Sequence, residues 1–283
     1  MSSPAPSGRS SDDDWWRTHV EKTISADGTA IAYDALGTGP LVVIVGGAFN
    51  DRNTWTELAG ALAAEGFTAV SYDRRGRGDS GDTPPYAVER EIEDLRAVTD
   101  AAGGEGSVYA HGVSSGGALL LRAVAAGLPV TRISILEPPY RVPGAPPPPP
   151  DYIATLQRYV DADDRDGLVA YFQTQVIGLP VEMVRSFQGT PMWDALCALA
   201  PTLVYDGLCL GGDDQSLPTD LFASVRVPVL AVTSSGTALP WLGQSAEHVA
   251  GALPAGEWVR LEGGFHEVPP QVLAPALAAF YRG

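Results

Sequence analysis

The chain has 283 residues, 45% of them apolar, which is ordinary for a globular protein with a sizeable core. Its formal net charge of −16 argues against nucleic acid and against anionic membrane surfaces as partners, because like charges repel. The same charge disfavours long-range steering toward an acidic carrier protein, so a carrier protein stays open as a partner but is not indicated.

The sequence shows no pattern typical of a membrane span, a disulfide framework or a metal site, and this bears on location and cofactor use. No apolar run approaches the length of a membrane span, and residues 1–14, rich in Ser, Pro and Asp, are expected to be a disordered tail. The two cysteines, Cys197 and Cys209, indicate no disulfide framework and favour a cytoplasmic location. No Cys/His cluster has metal-ligand spacing, so we expect neither a metal nor a cofactor.

Strand and helix patterns alternate through the first half of the chain. Residues 19–25 and 31–33 flank Asp27-Gly28, which is a hairpin signal. Strand patterns then fall at 41–45, 68–72, 107–110 and 133–136, and helical patterns between them at 54–65, 87–102 and 118–126. This order predicts an α/β fold with a doubly wound, mostly parallel sheet.

The sequence Gly112-Val113-Ser114-Ser115-Gly116 lies between the strand pattern at 107–110 and the helical pattern at 118–126. Gly-x-Ser-x-Gly at such a junction is typical of a nucleophile elbow, a sharp turn that projects its serine from the end of a sheet. The free N–H groups of the following helix suit a developing negative charge. The motif predicts Ser114 as a nucleophile.

The alternation stops after Pro138 and resumes near residue 227. Five consecutive prolines at 146–150 indicate a stiff entry, and residues 152–210 have helical patterns with no strand between them. We therefore predict a core of residues 15–137 and 222–283 with a helical cap at 138–221, inserted between strands 6 and 7. A cap in that position lies over the carboxyl ends of the strands, where open α/β sheets bind ligands.

Together these patterns resemble the α/β-hydrolase superfamily from about residue 16 to the end. Four sequence segments occur in the order of that family, namely those at 45–49, 73–80, 112–116 and 263–266. The resemblance implies an oxyanion hole formed by the backbone N–H groups of Ala48 and Ser115. We interpret the arginine-rich turn at 73–80 as structural, bracing the elbow.

A serine nucleophile needs a base, and the chain has four histidines. His19 belongs to the first hairpin, His248 to a helical pattern and His111 to the strand before the elbow. His266 follows the last strand, at the carboxyl edge of the sheet where it can reach Ser114. We therefore predict His266 as the catalytic base.

The third triad member departs from the common pattern of the family. Most relatives carry an acid after strand 7, where residues 233–240 contain no carboxylate. Glu137 follows strand 6, a placement similar to that in haloalkane dehalogenases and some polyketide-releasing thioesterases. Its expected role is to accept a hydrogen bond from Nδ1–H of His266, fixing the tautomer.

The aromatic residues of the cap indicate an apolar pocket, with most of them expected in the core of the cap and a minority facing Ser114. The eight candidates, six aromatic residues and two methionines, are Tyr152, Tyr159, Tyr171, Phe172, Met183, Phe187, Met192 and Trp193. Trp55 and Trp241 are further candidates near the rim.

Three function classes stay open at this point. The first is a cofactor-free serine hydrolase of an ester, thioester or lactone, similar to discrete hydrolases and thioesterases of bacterial secondary metabolism. The second is a non-hydrolytic cyclase or lyase on the same scaffold, and the third a catalytically silent binding protein. Ser114 and His266 favour the first class, because a binding protein needs neither.

Overall fold

The computed structural model describes residues 20–103 and 106–283. The predicted tail at 1–14 lies outside these residues, as does His19. The strands, in chain order, are β1 (Glu21–Ile24), β2 (Ala30–Gly37), β3 (Leu41–Val45), β4 (Thr68–Tyr72), β5 (Val108–Val113), β6 (Arg132–Leu136), β7 (Val229–Ser234) and β8 (Gly256–Leu261).

The helices connect these strands and cover both faces of the sheet. The α-helices are α1 (Thr56–Ala64), α2 (Val88–Ala101), α3 (Ser115–Ala125), α4 (Tyr152–Asp161), α5 (Arg165–Tyr171), α6 (Val181–Phe187), α7 (Pro191–Leu199), α8 (Leu203–Cys209), α9 (Thr219–Phe222), α10 (Pro240–Ala252) and α11 (Pro270–Arg282). Arg52–Trp55 and Ala200–Thr202 form short 3₁₀ turns, and Phe172–Ile177 forms a π-helix. None of the helices in the described ranges is both long and apolar enough to cross a membrane.

The strands form one sheet in the order β1-β2-β4-β3-β5-β6-β7-β8. β2 pairs antiparallel with β1 and β4, and all further pairs are parallel. β3 and β5 are buried along their whole length, as expected for central strands with helices on both faces. The predicted doubly wound, mostly parallel α/β sheet is confirmed.

Two apolar clusters hold the layers together. On one face α2, α3 and α10 contribute side chains such as Leu95, Leu119 and Val249. On the other face α1 and α11 contribute Leu62 and Leu277. Burial of such aliphatic side chains stabilises each layer against the sheet by roughly 1.5–3 kcal/mol per side chain.

Helices α4 to α9, here called the cap helices, occupy the chain between β6 and β7. Helices α4 to α8 share an apolar cluster of their own, which includes Leu156, Trp193 and Leu203, whereas Phe222 of α9 belongs to the cluster on the α3 face of the sheet. Ala48 and Phe49, in the loop after β3, pack against the cluster of α4 to α8. The cap helices therefore lie at the carboxyl edge of the sheet, where a ligand site is expected.

Candidate active site

The turn from β5 into α3 holds Ser114 in a backbone conformation that side chains rarely adopt. Its φ of 56° and ψ of −126° lie outside the usual regions for a non-glycine residue. A Cβ on Gly116 would lie 2.3 Å from the carbonyl oxygen of Val45, so only glycine fits there. The Ser114 N–H donates to Leu136 O at 2.9 Å, which fixes the elbow to the end of β6.

The residue after Leu136 is Glu137, and its side chain meets His266. His266 Nδ1 lies 2.7 Å from Glu137 Oε2; the glutamate is fully buried, and the histidine side chain is about one-quarter exposed. Because an ionised carboxylate can only accept, this hydrogen bond assigns the proton to Nδ1. The Nε2 atom is then free to accept a proton from a nucleophile.

Two further donors hold the other carboxylate oxygen of Glu137. Ser234 N–H donates to Oε1 at 2.9 Å and the Thr237 hydroxyl at 2.6 Å. Thr237 Oγ1 also accepts from the His266 N–H at 3.3 Å. These contacts satisfy a buried charge and orient both residues of the pair. Sequence reasoning missed Thr237, although its position in the loop after β7, where the family acid is absent, is a usable signal.

Ser114 and His266 line the same cavity. Within the described part of the chain, Ser114 Oγ forms no hydrogen bond with His266. Nucleophile–base hydrogen bonds are commonly loose in ligand-free enzymes and tighten when substrate binds. The structure thus joins His266 to Glu137 and brings Ser114 to the same cavity without completing the chain of contacts.

Strained backbone is concentrated at this site. Positive φ angles occur at Ser114, at Glu137 (43°), at His266 (53°) and at Phe49 (59°) beside the predicted oxyanion residue. Each such conformation costs of order 1–3 kcal/mol and persists only where its surroundings hold it. Their clustering around one cavity is typical of a functional site.

The loop after β3 approaches the elbow closely. A Cβ on Gly47 would lie 2.8 Å from Ser114 Cβ, so glycine permits this approach. Ala48 and Ser115 both line the cavity. Neither of their N–H groups donates to another residue of the described ranges, and Ser115 begins α3, where N–H groups lack helical partners. Both predicted oxyanion donors are therefore available to a ligand.

The arginine-rich turn supports this loop from behind. Arg74 donates to Gly46 O at 3.2 Å, and Arg77 donates to Gly47 O at 2.5 Å. Asp206 of α8 accepts from both arginines and from Ser115 Oγ at 2.6 Å. Burial alone would lower the pKa of Arg74, but Glu91 and Asp206 reverse this and raise it well above its ordinary value. The turn, which was expected to brace the elbow, contacts the loop after β3 directly.

The cavity has a volume of about 1100 Å³. Of the eight cap aromatic and methionine residues considered in the sequence, Tyr152 and Phe172 line it, and so do Trp55 and Trp241. Among the rest, Trp193 is buried in the cap cluster, while Met183 and Met192 are exposed. Further apolar walls, which the sequence did not indicate, come from Phe49, Val176, Ile177, Leu210, Leu239, Leu242 and Phe265.

Two other histidines are placed away from this cavity. His111 is fully buried in β5, with Nδ1 2.8 Å from Ser134 Oγ, and burial lowers its pKa to about 4. His248 is exposed on α10. Within residues 20–103 and 106–283, no group of three His, Cys, Asp or Glu side chains is arranged to hold a metal ion.

The model of the alpha/beta hydrolase family matches residues 42–277. The chain is similar to an alpha/beta hydrolase from Sphaerobacter thermophilus, at 45% identity over 92% of this chain and 100% of that one, with a TM-score of 0.84. It shares its fold with an esterase from Exiguobacterium antarcticum (16% identity, 94% and 100% covered, TM-score 0.71). A thermophilic esterase from Thermogutta terrifontis also shares the fold (21% identity, 94% and 97% covered, TM-score 0.65).

Proposed function

The chain belongs to the alpha/beta hydrolase family, and from that premise we propose that it is a cofactor-free serine hydrolase. It cleaves an ester, thioester or lactone of a largely apolar small molecule through an acyl-enzyme. The observation that carries this proposal is the 2.7 Å contact between His266 Nδ1 and buried Glu137, at a cavity that Ser114 also lines. That arrangement supplies a nucleophile, a base and a group that orients the base.

In the first half-reaction Ser114 Oγ attacks the substrate carbonyl carbon while Nε2 of His266 takes the hydroxyl proton. The negative charge that forms on the carbonyl oxygen accepts hydrogen bonds from the N–H groups of Ala48 and Ser115, each worth about 3 kcal/mol in the barrier. Collapse of the tetrahedral intermediate breaks the bond to the leaving group, which receives its proton from His266. The product is an ester of Ser114.

In the second half-reaction water attacks this acyl-enzyme, and His266 accepts a proton from the water. The same two N–H groups stabilise the second tetrahedral intermediate. Collapse releases the acid and returns the proton to Ser114. Throughout the cycle Glu137 stays ionised and stabilises the imidazolium that forms on His266.

The cavity supports an apolar substrate, because aromatic and aliphatic side chains form most of its wall. Two of the fold neighbours are esterases, which makes esters the first class to screen. The cyclase or lyase alternative can use the His266–Glu137 pair as a general base, but it needs no acyl-enzyme and therefore no nucleophilic serine. Reactivity of Ser114 separates the two.

The test is intact-mass analysis after treatment with a small fluorophosphonate. We expect one adduct on the wild-type protein and none on Ser114→Ala. Ser186→Ala, a change at an exposed serine of α6, is the matched control and should label like the wild type. A folded wild-type protein without an adduct, or an adduct that persists in Ser114→Ala, would refute the proposal.

A further inference from the structure

One arginine in the wall of the cavity lacks an acidic partner. Four other arginines have buried side chains, and each forms ion pairs with carboxylates: Arg52, Arg74, Arg75 and Arg77. Arg141 lines the cavity that also contains Ser114, yet no carboxylate of the described residues forms an ion pair with it. Arg141 is half-buried, and the half-buried Arg122 and Arg132 also form no ion pair within the described ranges, so what distinguishes Arg141 is its place in the wall of the cavity that contains Ser114.

Contacts with two uncharged residues, Gln215 and Trp241, hold Arg141 in place. Its backbone N–H donates to Gln215 O at 2.7 Å, and Nε donates to Gln215 Oε1 at 3.3 Å. The guanidinium carbon lies 4.4 Å from the ring centre of Trp241, as in a cation–π contact. A side chain that is already fixed loses little conformational entropy when it binds a ligand.

The two terminal nitrogens of Arg141 differ in their accessibility to a ligand. Nη1 has essentially no accessible surface and is enclosed by protein atoms, whereas Nη2, which donates to no residue of the described ranges, is the terminal nitrogen open to a ligand. Burial lowers the pKa of Arg141, opposed only by the phenol of Tyr152. A ligand oxygen that accepts from Nη2 gains a hydrogen bond to a charged group, which is stronger than one between neutral groups.

We propose that Arg141 binds a carboxylate of the substrate, so that the enzyme acts on esters or thioesters whose far end carries a carboxylate. This rests on the proposed hydrolase function, and it refines the substrate from apolar to apolar with one anionic end. A carboxylate oxygen can accept a charge-assisted hydrogen bond from Nη2 in the plane of the guanidinium group.

The charge balance favours a monoanion over a phosphate dianion. Arg52 is the other cationic residue of the described cavity wall, and it already contacts Asp34, Asp73 and Asp79. Four carboxylate residues also line the cavity: Asp34 and Asp206 pair with arginines, whereas Glu57 and Glu267 form no ion pair within the described ranges. These negative charges oppose a dianion more strongly than a monoanion, which Arg141 alone can balance. The net charge of −16 further disfavours a dianion.

The probes are monomethyl esters of succinate, glutarate, adipate and suberate, each paired with the methyl ester in which a primary amide replaces the carboxylate. The two members of a pair have nearly the same size and differ in charge. We expect the wild type to prefer the charged member by about 10- to 100-fold in kcat/KM at one or more chain lengths, the range typical of a hydrogen bond to a charged group.

Variants assign this preference to Arg141. In Arg141→Gln the ratio should fall to about one, and Arg141→Lys, which keeps the charge but not the fork, should retain part of it. Arg132→Gln is the matched control, since Arg132 also stacks on an aromatic ring, that of Phe280, outside the cavity. Arg141→Gln leaves no carboxylate unpaired, and thermal unfolding of each variant checks the fold. Equal rates for every wild-type pair, or a preference that survives in Arg141→Gln, would overturn the proposal.

Binding separates this proposal from the hydrolase proposal. Ser114→Ala protein, titrated calorimetrically with the same pairs, should bind the charged member about 10- to 100-fold more tightly, and the added Arg141→Gln change should remove that difference. If fluorophosphonate labelling fails while this preference holds, the carboxylate site stands and the hydrolase proposal falls. If Ser114 labels and both esters are bound and cleaved equally, the carboxylate site falls alone.

Discussion

Glu137 accepts hydrogen bonds on both carboxylate oxygens, and this fixes how an amide would sit in its place. In Glu137→Gln the amide oxygen replaces Oε1, where Ser234 N–H and the Thr237 hydroxyl donate. The NH₂ group then faces His266 Nδ1 and forces the ring proton onto Nε2, so that the base is blocked. We expect kcat to fall by about 10⁴-fold, as for the wrong tautomer in other triads.

Steady-state kinetics on the best ester found measures this effect, with product binding as a second readout. Binding of an apolar product should be nearly unchanged, because Glu137 lies behind His266. Glu89→Gln, the same chemical change at an exposed residue of α2, is the control and should leave kcat unaltered. Near-normal turnover in Glu137→Gln would remove Glu137 from the triad.

The placement of individual residues was predictable where a strand end determined it. Ser114, Glu137 and His266 each follow a strand at the carboxyl edge, and the structure brings them to one region. Thr237 and Arg141 were not predictable, because their contacts depend on the conformation of loops that carry no motif. Arg141 depends in particular on Gln215, which comes from the far end of the cap segment.

At the scale of elements, Asp206 connects the cap helices to the core. This α8 residue is almost fully buried, accepts from Arg74 and Arg77, and contacts Ser115 beside the nucleophile. Asp206→Asn removes the negative charge but keeps the shape, and it leaves two buried guanidinium groups with one fewer counter-charge. We expect the free energy of unfolding to fall by about 3 kcal/mol, as when a buried ion pair loses one partner.

Urea unfolding monitored by fluorescence measures this loss, with Asp220→Asn as the matched control. Asp220 is an exposed residue of α9 that forms no ion pair within the described ranges, so its change should stay within about 0.5 kcal/mol of the wild type. A similar midpoint and slope for Asp206→Asn and the wild type would show that Asp206 does not connect these elements energetically.

Element boundaries followed the sequence at two of the central strands. The strand patterns at 41–45 and 68–72 coincide with β3 and β4, and the continuous aliphatic run of β3 matches a strand that is buried on both faces. The helix expected at 118–126 begins earlier, at Ser115, because the elbow glycines are part of its first turn. Glycine is a poor helix former, so propensity alone placed that start too late.

At the scale of the whole molecule, the doubly wound, mostly parallel sheet was predictable and the cap arrangement was not. Right-handed crossovers and short connections leave few topologies for alternating strands and helices. The cap helices have no sheet to fix them, and their packing rests on side-chain contacts such as those of Trp193, which periodicity alone does not specify. The wall of the cavity was for that reason only partly foreseen.

The stability of the whole fold depends on pH through His111. Burial lowers its pKa to about 4, whereas in the unfolded chain it is about 6.5. Between these values the unfolded state binds a proton that the folded state does not, so stability falls as pH is lowered through this window. The expected contribution is about 3 kcal/mol of unfolding free energy lost between pH 6.5 and pH 4.

Urea unfolding at intervals from pH 7 to pH 4 measures this dependence, compared between the wild type and His111→Asn. The variant keeps a polar partner for Ser134 but cannot titrate, so its loss of stability over the window should be smaller than that of the wild type by the same amount. His248→Gln, a change at an exposed histidine of α10, is the control and should keep the wild-type slope. If His111→Asn and the wild type lost stability in parallel, His111 would be protonated in the fold, and another group would have to account for the acid sensitivity.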